Sequence, residues 1–255
     1  LWEWTHRLLA AALAFFVLVV IAMAWKKRNR SAFIAPTLAV IVALFLLQIV
    51  LGAQTVRLAN VPLSVVLHWG VAMALIAALC AMAIFAAACD RQPVGFHDAS
   101  PPQLLQLGAI ATTAAAAFVT MCIGAYVSSS GAGLACLSIP GCAGNVVIYT
   151  PEQQVQMIHR VAAGITLLCS VGAFAVVWCF AASARLRASV TLGTAFVWLQ
   201  VILGLLNVAF RLPTDLREAH AVNAALTFMT FFVGTLFATL DAVPLRSPLI
   251  ETRSE

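Results

Sequence analysis

Charged side chains are scarce in this sequence. They make up 9% of its 255 residues, with 14 Lys and Arg against 9 Asp and Glu, whereas 63% of the residues are hydrophobic. A soluble domain needs about a quarter of its residues charged to cover its surface, so the composition excludes an ordinary soluble globule. The alternating apolar and polar pattern of outer-membrane strands is also absent. The sequence therefore predicts an all-α integral membrane protein.

Seven continuous apolar runs are long enough to span a membrane as helices, which need about 20 apolar residues each. We do not expect the first run to be a cleaved signal peptide, because its charges follow the apolar stretch and no small-residue cleavage site comes after them. The predicted spans cover roughly residues 4–25, 32–53, 63–89, 104–128, 154–182, 188–210 and 219–243.

The positions of Lys and Arg predict the orientation. If residue 1 lies outside, nine basic residues fall inside and five fall outside. This places the C-terminus in the cytoplasm, so the net charge of +5 reports membrane topology and not nucleic-acid binding. The five outer residues lie close to helix ends, which suggests an anionic group there. They are Arg7, Arg57, Arg160, Arg211 and Arg217.

An internal repeat divides the chain. "LQIVLG" at 47–52 recurs as "LQVILG" at 199–204, and "THRLLAA" at 5–11 resembles "IHRVAAG" at 158–164. The second copy is preceded by an extra helix and a Gly/Cys-rich loop. We therefore expect a first helix and outer loop before residue 1, giving tandem four-helix bundles, although a seven-helix protein is the alternative. The halves would be residues 1–100 and 101–255.

Four histidines fall near helix starts at one predicted depth: His6, His68, His159 and His220. Ionisable residues in membrane spans are rare and usually functional. Each half thus offers two imidazoles that could face each other. Haem iron accepts a histidine on each face, and Arg7 and Arg160, directly after two of these histidines, could bind its propionates. Zinc or copper would also accept imidazole but would not explain the arginines. His97 is interpreted as a solvated loop residue.

Several short motifs together resemble the haem A synthase family. They are "EWTHR" (Glu3, His6, Arg7), "HW" at His68, "IHR" at 158–160, "REAH" ending at His220, and the loop "IGAYVSSSGAGLACLSIPGCAG" at 123–144. The resemblance covers nearly the whole chain except its C-terminal tail. The loop is less aromatic than the family's usual form.

The resemblance implies an eight-helix bundle in the bacterial inner membrane that oxidises the C8 methyl group of haem O to a formyl group, with water as the oxygen source. The product, haem A, would serve cytochrome c oxidase. It implies a haem b cofactor held by His159 and His220, and the substrate haem near His6 and His68. Implied partners are the haem O synthase and cytochrome oxidase assembly factors, with an unknown electron acceptor.

The two halves differ three residues before the first histidine of each pair. Glu3 precedes His6, whereas Gln156 precedes His159. Residues three apart share a helix face, and a carboxylate can take a proton or stabilise developing positive charge. We therefore expect Glu3 to be catalytic, the alternative being a favourable charge at a helix N-terminus. Electron transfer or a structural role would fall to the second half.

Cys136 and Cys142 lie in the predicted outer loop, where an oxidising environment favours a disulfide. A structural disulfide would fix the loop over the second haem, and a redox-active pair is the alternative. Two rival functions also remain open. A di-haem b-type cytochrome would share the histidines but would not need a carboxylate in one half only, and a transporter would need polar residues at mid-membrane.

Overall fold

Seven long helices form nearly all of the described structure. The computed structural model describes residues 2–88, 92–93, 99–138, 141–142, 150–242 and 245–246, without the side chains of residues 2–3, 92–93 and 245–246. Each helix is long and apolar enough to cross a membrane, which confirms the all-α membrane fold. The helices are α1 (Trp2–Lys27), α2 (Ile34–Arg57), α3 (Pro62–Ala87), α4 (Pro101–Ser129), α5 (Pro151–Cys179), α6 (Ala184–Ala209) and α7 (Thr214–Ala242). Two short strands, β1 (Gln92–Pro93) and β2 (Leu245–Arg246), pair antiparallel.

The observed helices differ from the predicted spans at their ends. Helix α5 begins at Pro151 and α7 at Thr214, both earlier than hydropathy predicts. Thr150 caps α5 by accepting a hydrogen bond from the backbone N–H of Gln153, and Pro151 suits the first helical turn. Hydropathy marks the apolar part of each helix, whereas caps set its ends. His97 lies outside the described residues.

Helices α4 to α7 pack around one core, and α1 to α3 pack around another. Ile110, Val177, Val190 and Phe231, one from each of the four later helices, are completely or almost completely buried together. Val17, Ile41 and Leu75 fill the corresponding space between the first three helices. Helix α3 then packs against α4 and α7, so the two groups of helices share one continuous interior.

The backbone itself repeats between the α2–α3 and α6–α7 connections. Ala59 and Asn60 have φ angles of 52° and 60°, and Arg211 and Leu212, 152 residues later in each case, have φ angles of 59° and 61°. The hydrogen bonds repeat as well: Asn60 donates its backbone N–H to Thr55, and Leu212 donates to Asn207. Consecutive left-handed residues without glycine are uncommon. Their recurrence confirms the repeat that the sequence predicted.

A polar side chain bridges the two helices below each connection. The Oγ1 of Thr55 donates towards the carbonyls of Leu51, at 2.8 Å, and Ser64, at 3.2 Å. At the equivalent place in the second repeat, Nδ2 of Asn207 donates to Leu203 at 3.0 Å and Leu216 at 3.1 Å. Different side chains thus make the same bridge, which fixes the start of α3 and α7 and therefore the height of His68 and His220.

The left-handed turn leads to a stability prediction for Ala59→Gly. A left-handed alanine costs about 1–2 kcal/mol, and glycine removes that cost while adding about 0.5–1 kcal/mol of chain entropy. We expect a small net stabilisation, seen as a higher midpoint of thermal unfolding in detergent. Ala53→Gly, in the interior of α2, is the control and should lower the midpoint. A lower midpoint for Ala59→Gly would contradict the turn geometry.

Candidate haem-binding site

The imidazoles of His159 and His220 face each other between α5 and α7. Their ring centroids are 6.5 Å apart and their planes meet at 75°. A metal–imidazole bond is ~2 Å long and the nitrogen lies ~1 Å from the ring centroid, so two imidazoles on opposite sides of one ion have centroids ~6 Å apart. The separation of His159 and His220 therefore fits a single metal ion held between the rings.

The donor set around this pair suits a haem better than a bare ion. In the part of the chain that the structure describes, no group of three or more His, Cys, Asp or Glu side chains could hold a metal. Zinc in proteins is almost always bound by four ligands, at least three of them from side chains. A porphyrin supplies its own equatorial nitrogens, so haem iron needs only the two axial positions that His159 and His220 could fill.

Glycines on the neighbouring helices make room for both imidazoles. A Cβ atom on Gly124 of α4 would lie 2.9 Å from Cε1 of His159, and one on Gly204 of α6 would lie 3.3 Å from Cε1 of His220. The Nδ1 atoms of both rings are buried and have no hydrogen-bond partner among the described residues. Buried polar atoms without a partner are rare, and these two are among six in the described structure, the others lying on Gln48, His68, Arg187 and Asn207.

The first half repeats this arrangement around His68. A Cβ atom on Gly52 of α2 would lie 3.1 Å from Cε1 of His68, 152 residues before the equivalent pair Gly204 and His220. The Nε2 atom of His68 also lies 3.5 Å from Nε2 of Gln48. His6 is exposed on α1, so its pairing with His68 stays a prediction.

The other first-half residues named from the sequence lie near the start of α1. Glu3 is helical and precedes His6 by three residues, but its side chain is outside the described part of the chain. Arg7 is exposed, and its guanidinium carbon lies 6.0 Å from the ring centroid of Trp4. A catalytic role for Glu3 and a propionate-binding role for Arg7 stay predictions.

Arg160 directs its guanidinium group into the loop that follows α4. Its Nη1 atom donates to the carbonyl oxygens of Ser138, at 2.7 Å, and Gly141, at 3.0 Å. Its Nη2 atom donates to the carbonyl of Cys136 at 2.7 Å. The sequence predicted a propionate partner for Arg160, which stays a prediction. The contacts with the loop carbonyls could not be foreseen, because they depend on the path of the loop.

Gln156 holds the same loop from the preceding turn of α5. Cys136 and Cys142 form the expected disulfide. The Oε1 atom of Gln156 accepts the backbone N–H of Cys136 at 2.8 Å, and its Nε2 atom donates to the carbonyl of Gly133 at 2.9 Å. The side chain is 5% exposed. An amide can accept through its oxygen and donate through its nitrogen at the same time, so the glutamine has a defined structural role.

The α6–α7 connection also supports the loop. A Cβ atom on Gly133 would lie 2.7 Å from Cδ1 of Leu212, the second of the two left-handed residues in that connection. A side chain at position 133 would therefore have to displace the end of the Leu212 side chain, so glycine allows the two outer segments to approach closely. The loop, α5 and the start of α7 thus meet next to the His159–His220 pair.

Asn223 is the polar residue that the sequence reading missed. It lies on α7 three residues after His220 and is 4% exposed. Its Nδ2 atom donates to Oε1 of Gln200 at 2.6 Å and to the carbonyl of Phe196 at 2.9 Å. Gln200 in turn donates to the backbone carbonyl of His220 at 3.0 Å. An asparagine inside an apolar run was the available signal, because interhelical hydrogen bonds commonly use such residues.

Nearly the whole chain also resembles known proteins. The family model described as cytochrome oxidase assembly protein matches residues 1–232. The chain belongs to this family. Several curated relatives are named haem A synthase. One from Bacillus licheniformis is 27% identical over 245 residues, and one from Bacillus pumilus is 26% identical over 246 residues. Each of these matches covers 93% of this chain and 76% of the relative. A relative from Halobacterium salinarum named protohaem IX farnesyltransferase is 34% identical over 147 residues, covering 57% of this chain and 32% of that protein.

The contacts of Gln156 predict the effect of Gln156→Glu. A carboxylate would place an acceptor against the carbonyl of Gly133 and leave that carbonyl unpaired, so we expect the loop to loosen. Reduction of the Cys136–Cys142 disulfide by a water-soluble reductant should become about tenfold faster, the effect of losing one buried hydrogen bond. Mass spectrometry of alkylated full-length protein measures it.

Gln154→Glu is the matched control, since Gln154 is exposed on the same helix and the change in charge is the same. Its disulfide should be reduced at the wild-type rate. Equal rates for wild type and Gln156→Glu would contradict the role of this amide in holding the loop.

Proposed function

We propose that this chain is a haem A synthase, which oxidises the C8 methyl group of haem O to a formyl group and so makes haem A for cytochrome c oxidase. Membership of the cytochrome oxidase assembly protein family supports this function, as do the relatives named haem A synthase, which align over 93% of the chain. The observation that carries the proposal is the opposed pair His159 and His220, with ring centroids 6.5 Å apart, in a chain that repeats the pattern around His68.

His159 and His220 are proposed to bind a haem b cofactor through its iron. When bound, this haem would supply a one-electron relay within the protein, through which the four electrons removed from the methyl group would pass one at a time to an external electron acceptor. Gly124 and Gly204 set the position of the two imidazoles, because a side chain on either glycine would press on a ring edge. The loop closed by the Cys136–Cys142 disulfide lies beside this pair and would limit access of water.

The first half is proposed to bind the substrate haem O, with His6 and His68 as its iron ligands. Glu3 lies one helical turn before His6, on the same face of α1. A carboxylate there can accept a proton from the attacking water or stabilise positive charge that develops at the oxidised carbon. Water would supply the oxygen of the formyl group. The equivalent residue in the second half, Gln156, makes hydrogen bonds with the backbone of the loop. Because that side chain already has a structural role, we assign the chemistry to the first half.

Arg7 and Arg160 are proposed to bind haem propionates. Each follows a histidine directly, so its guanidinium starts from the same turn as a proposed iron ligand. For Arg160, propionate binding would join the haem edge to the carbonyls of the disulfide loop. Charge-assisted hydrogen bonds from arginine to carboxylates are strong and directional, so this link would couple loop position to haem position.

We propose two half-bundles, residues 1–100 for the substrate and 101–255 for the cofactor, in the bacterial inner membrane with the histidines near the outer face and the C-terminus in the cytoplasm. The close approach of Leu212 to Gly133 supports placing both outer segments on one side. The haem O synthase and oxidase assembly factors are the proposed partners. A protohaem IX farnesyltransferase among the relatives supports the former.

A di-haem b-type cytochrome is the second candidate. It shares every proposed iron ligand and differs in needing no catalytic carboxylate. Pigment extraction from the purified full-length protein separates the two. The synthase predicts haem b together with haem O or haem A, the cytochrome predicts haem b alone, and the absence of any haem would contradict both.

Glu3→Gln tests the catalytic assignment. This variant should keep both haems but lower the conversion of haem O by about 100-fold or more, the usual contribution of a positioned proton acceptor. Conversion is measured by chromatography of extracted haems. Glu218→Gln, an exposed residue near His220, is the control with the same change of charge and should convert normally. Full activity in Glu3→Gln would remove Glu3 from the mechanism.

Gly124→Ala tests whether Gly124 sets the position of the His159 imidazole. The added methyl group would lie 2.9 Å from Cε1 of the ring, so the imidazole must move by a few tenths of an ångström. We expect haem b to bind about tenfold more weakly, as for other changes that displace a metal ligand, with a shifted low-spin EPR spectrum. Gly108→Ala on the same helix is the control, because nothing lies within 4 Å of its Cβ position. Identical spectra and haem affinities in Gly124→Ala and the wild type would contradict the role of Gly124 in positioning the His159 imidazole.

A further inference from the structure

The same glutamine occurs in both repeats, but its amide has different partners. Gln48 and Gln200 each lie 20 residues before a histidine. In the second repeat, Nε2 of Gln200 donates to the backbone carbonyl of His220 at 3.0 Å. In the first repeat, Nε2 of Gln48 lies 3.5 Å from the ring nitrogen Nε2 of His68. One amide thus contacts the histidine backbone and the other contacts its imidazole.

Asn223 accounts for this difference. Its Nδ2 atom donates to Oε1 of Gln200 at 2.6 Å, while the same atom is fixed by the carbonyl of Phe196 at 2.9 Å. The position 152 residues earlier is Val71, whose side chain has no hydrogen-bonding atom. Gln48 therefore lacks the tether that holds Gln200, and its Oε1 atom is buried with no partner among the described residues.

The contact between Gln48 and His68 is long, which makes it easy to displace. A distance of 3.5 Å is at the outer limit of a hydrogen bond, and Nδ1 of His68 is also without a partner in the described structure. An imidazole nitrogen that an amide contacts must leave that amide before it can bind iron. The amide consequently competes with iron for His68 and lowers the apparent affinity of that site for haem.

We propose that Gln48 is a positioning residue that holds the imidazole of His68 between turnovers and so makes haem binding in the first half reversible. In the second half, the hydrogen bond from Asn223 keeps the Gln200 amide away from the imidazole of His220, so the haem bound there is retained. This inference rests on the proposed function. A synthase must release its product haem but retain its cofactor haem, and the two repeats differ at the residue that would control release.

The test measures haem release from the full-length protein in lipid nanodiscs. The protein is loaded with ferric protohaem, and its transfer to excess apomyoglobin is followed by absorbance. Two phases are expected, a fast one from the first half and a slow one from the second. His68→Ala should remove the fast phase and His159→Ala the slow phase, which assigns them. If neither histidine variant changes protohaem binding, the proposed function fails independently of the role of Gln48.

Gln48→Leu should slow the fast phase about five- to tenfold, the effect of one hydrogen bond to the freed imidazole, and leave the slow phase unchanged. Slower haem release cannot be explained by general destabilisation of the variant, because a destabilised protein would release haem faster in both phases. Gln54→Leu, an exposed residue on the same helix, is the control and should release haem like the wild type. An unchanged or accelerated fast phase in Gln48→Leu would overturn the proposal.

Val71→Asn tests the proposal without removing Gln48. The introduced asparagine occupies the place of Asn223 in the repeat and should draw the Gln48 amide away from the ring, slowing the fast phase as Gln48→Leu does. Asn223→Val is the reverse change and should accelerate the slow phase alone. If Gln48→Leu does not fold, Val71→Asn decides the matter, and a fast phase of wild-type rate in this variant overturns the proposal.

Discussion

Polar groups inside a bilayer must find their hydrogen-bond partners within the protein, because the hydrocarbon region supplies no water. That requirement shapes the outer ends of these helices. Thr55 and Asn207 bridge neighbouring helices through backbone carbonyls, and Arg160 satisfies three carbonyls of one loop. Six buried side-chain atoms have no partner among the described residues: Oε1 of Gln48, Nε of Arg187, Oδ1 of Asn207 and the Nδ1 atoms of His68, His159 and His220. Such unpaired atoms are costly, and three of the six belong to histidines proposed to bind haem.

The same backbone framework carries different chemistry in its two halves. Left-handed turns and glycine seats recur 152 residues apart, so the position of each histidine on α3 and α7 is a property of the repeat. Gln48 and Gln200 are repeated beside those histidines, but other polar side chains near the histidines differ between the halves. Val71 stands where Asn223 is found, and Glu3 stands where the loop-binding Gln156 is found. Duplication accounts for the framework, and a few substitutions account for the difference between a substrate site and a cofactor site.

Features that depend on spacing along the chain could be predicted from the sequence, whereas contacts made through loops could not. The seven spans, the repeat and the closeness of His159 and His220 all follow from helical periodicity and register. The partners of Arg160 depend on how the loop folds back over α5, and no local pattern encodes that path. Helix ends were also misplaced, as at Thr214, because capping and turn geometry set them and hydropathy does not. Asn223 was missed because its partner Gln200 lies on another helix.

Gln156, His159 and Arg160 occupy one turn of α5, which gives the outer loop and the opposed imidazoles a common support. A shift of the loop would therefore move the turn that carries His159, and a shift of His159 would strain the hydrogen bonds of Cys136 and Gly133. Glu3, His6 and Arg7 have the same spacing on α1. An ionised carboxylate accepts hydrogen bonds but donates none, so Glu3 cannot hold a loop as Gln156 does. The substitution that releases this position from a structural role also gives it a group able to accept a proton.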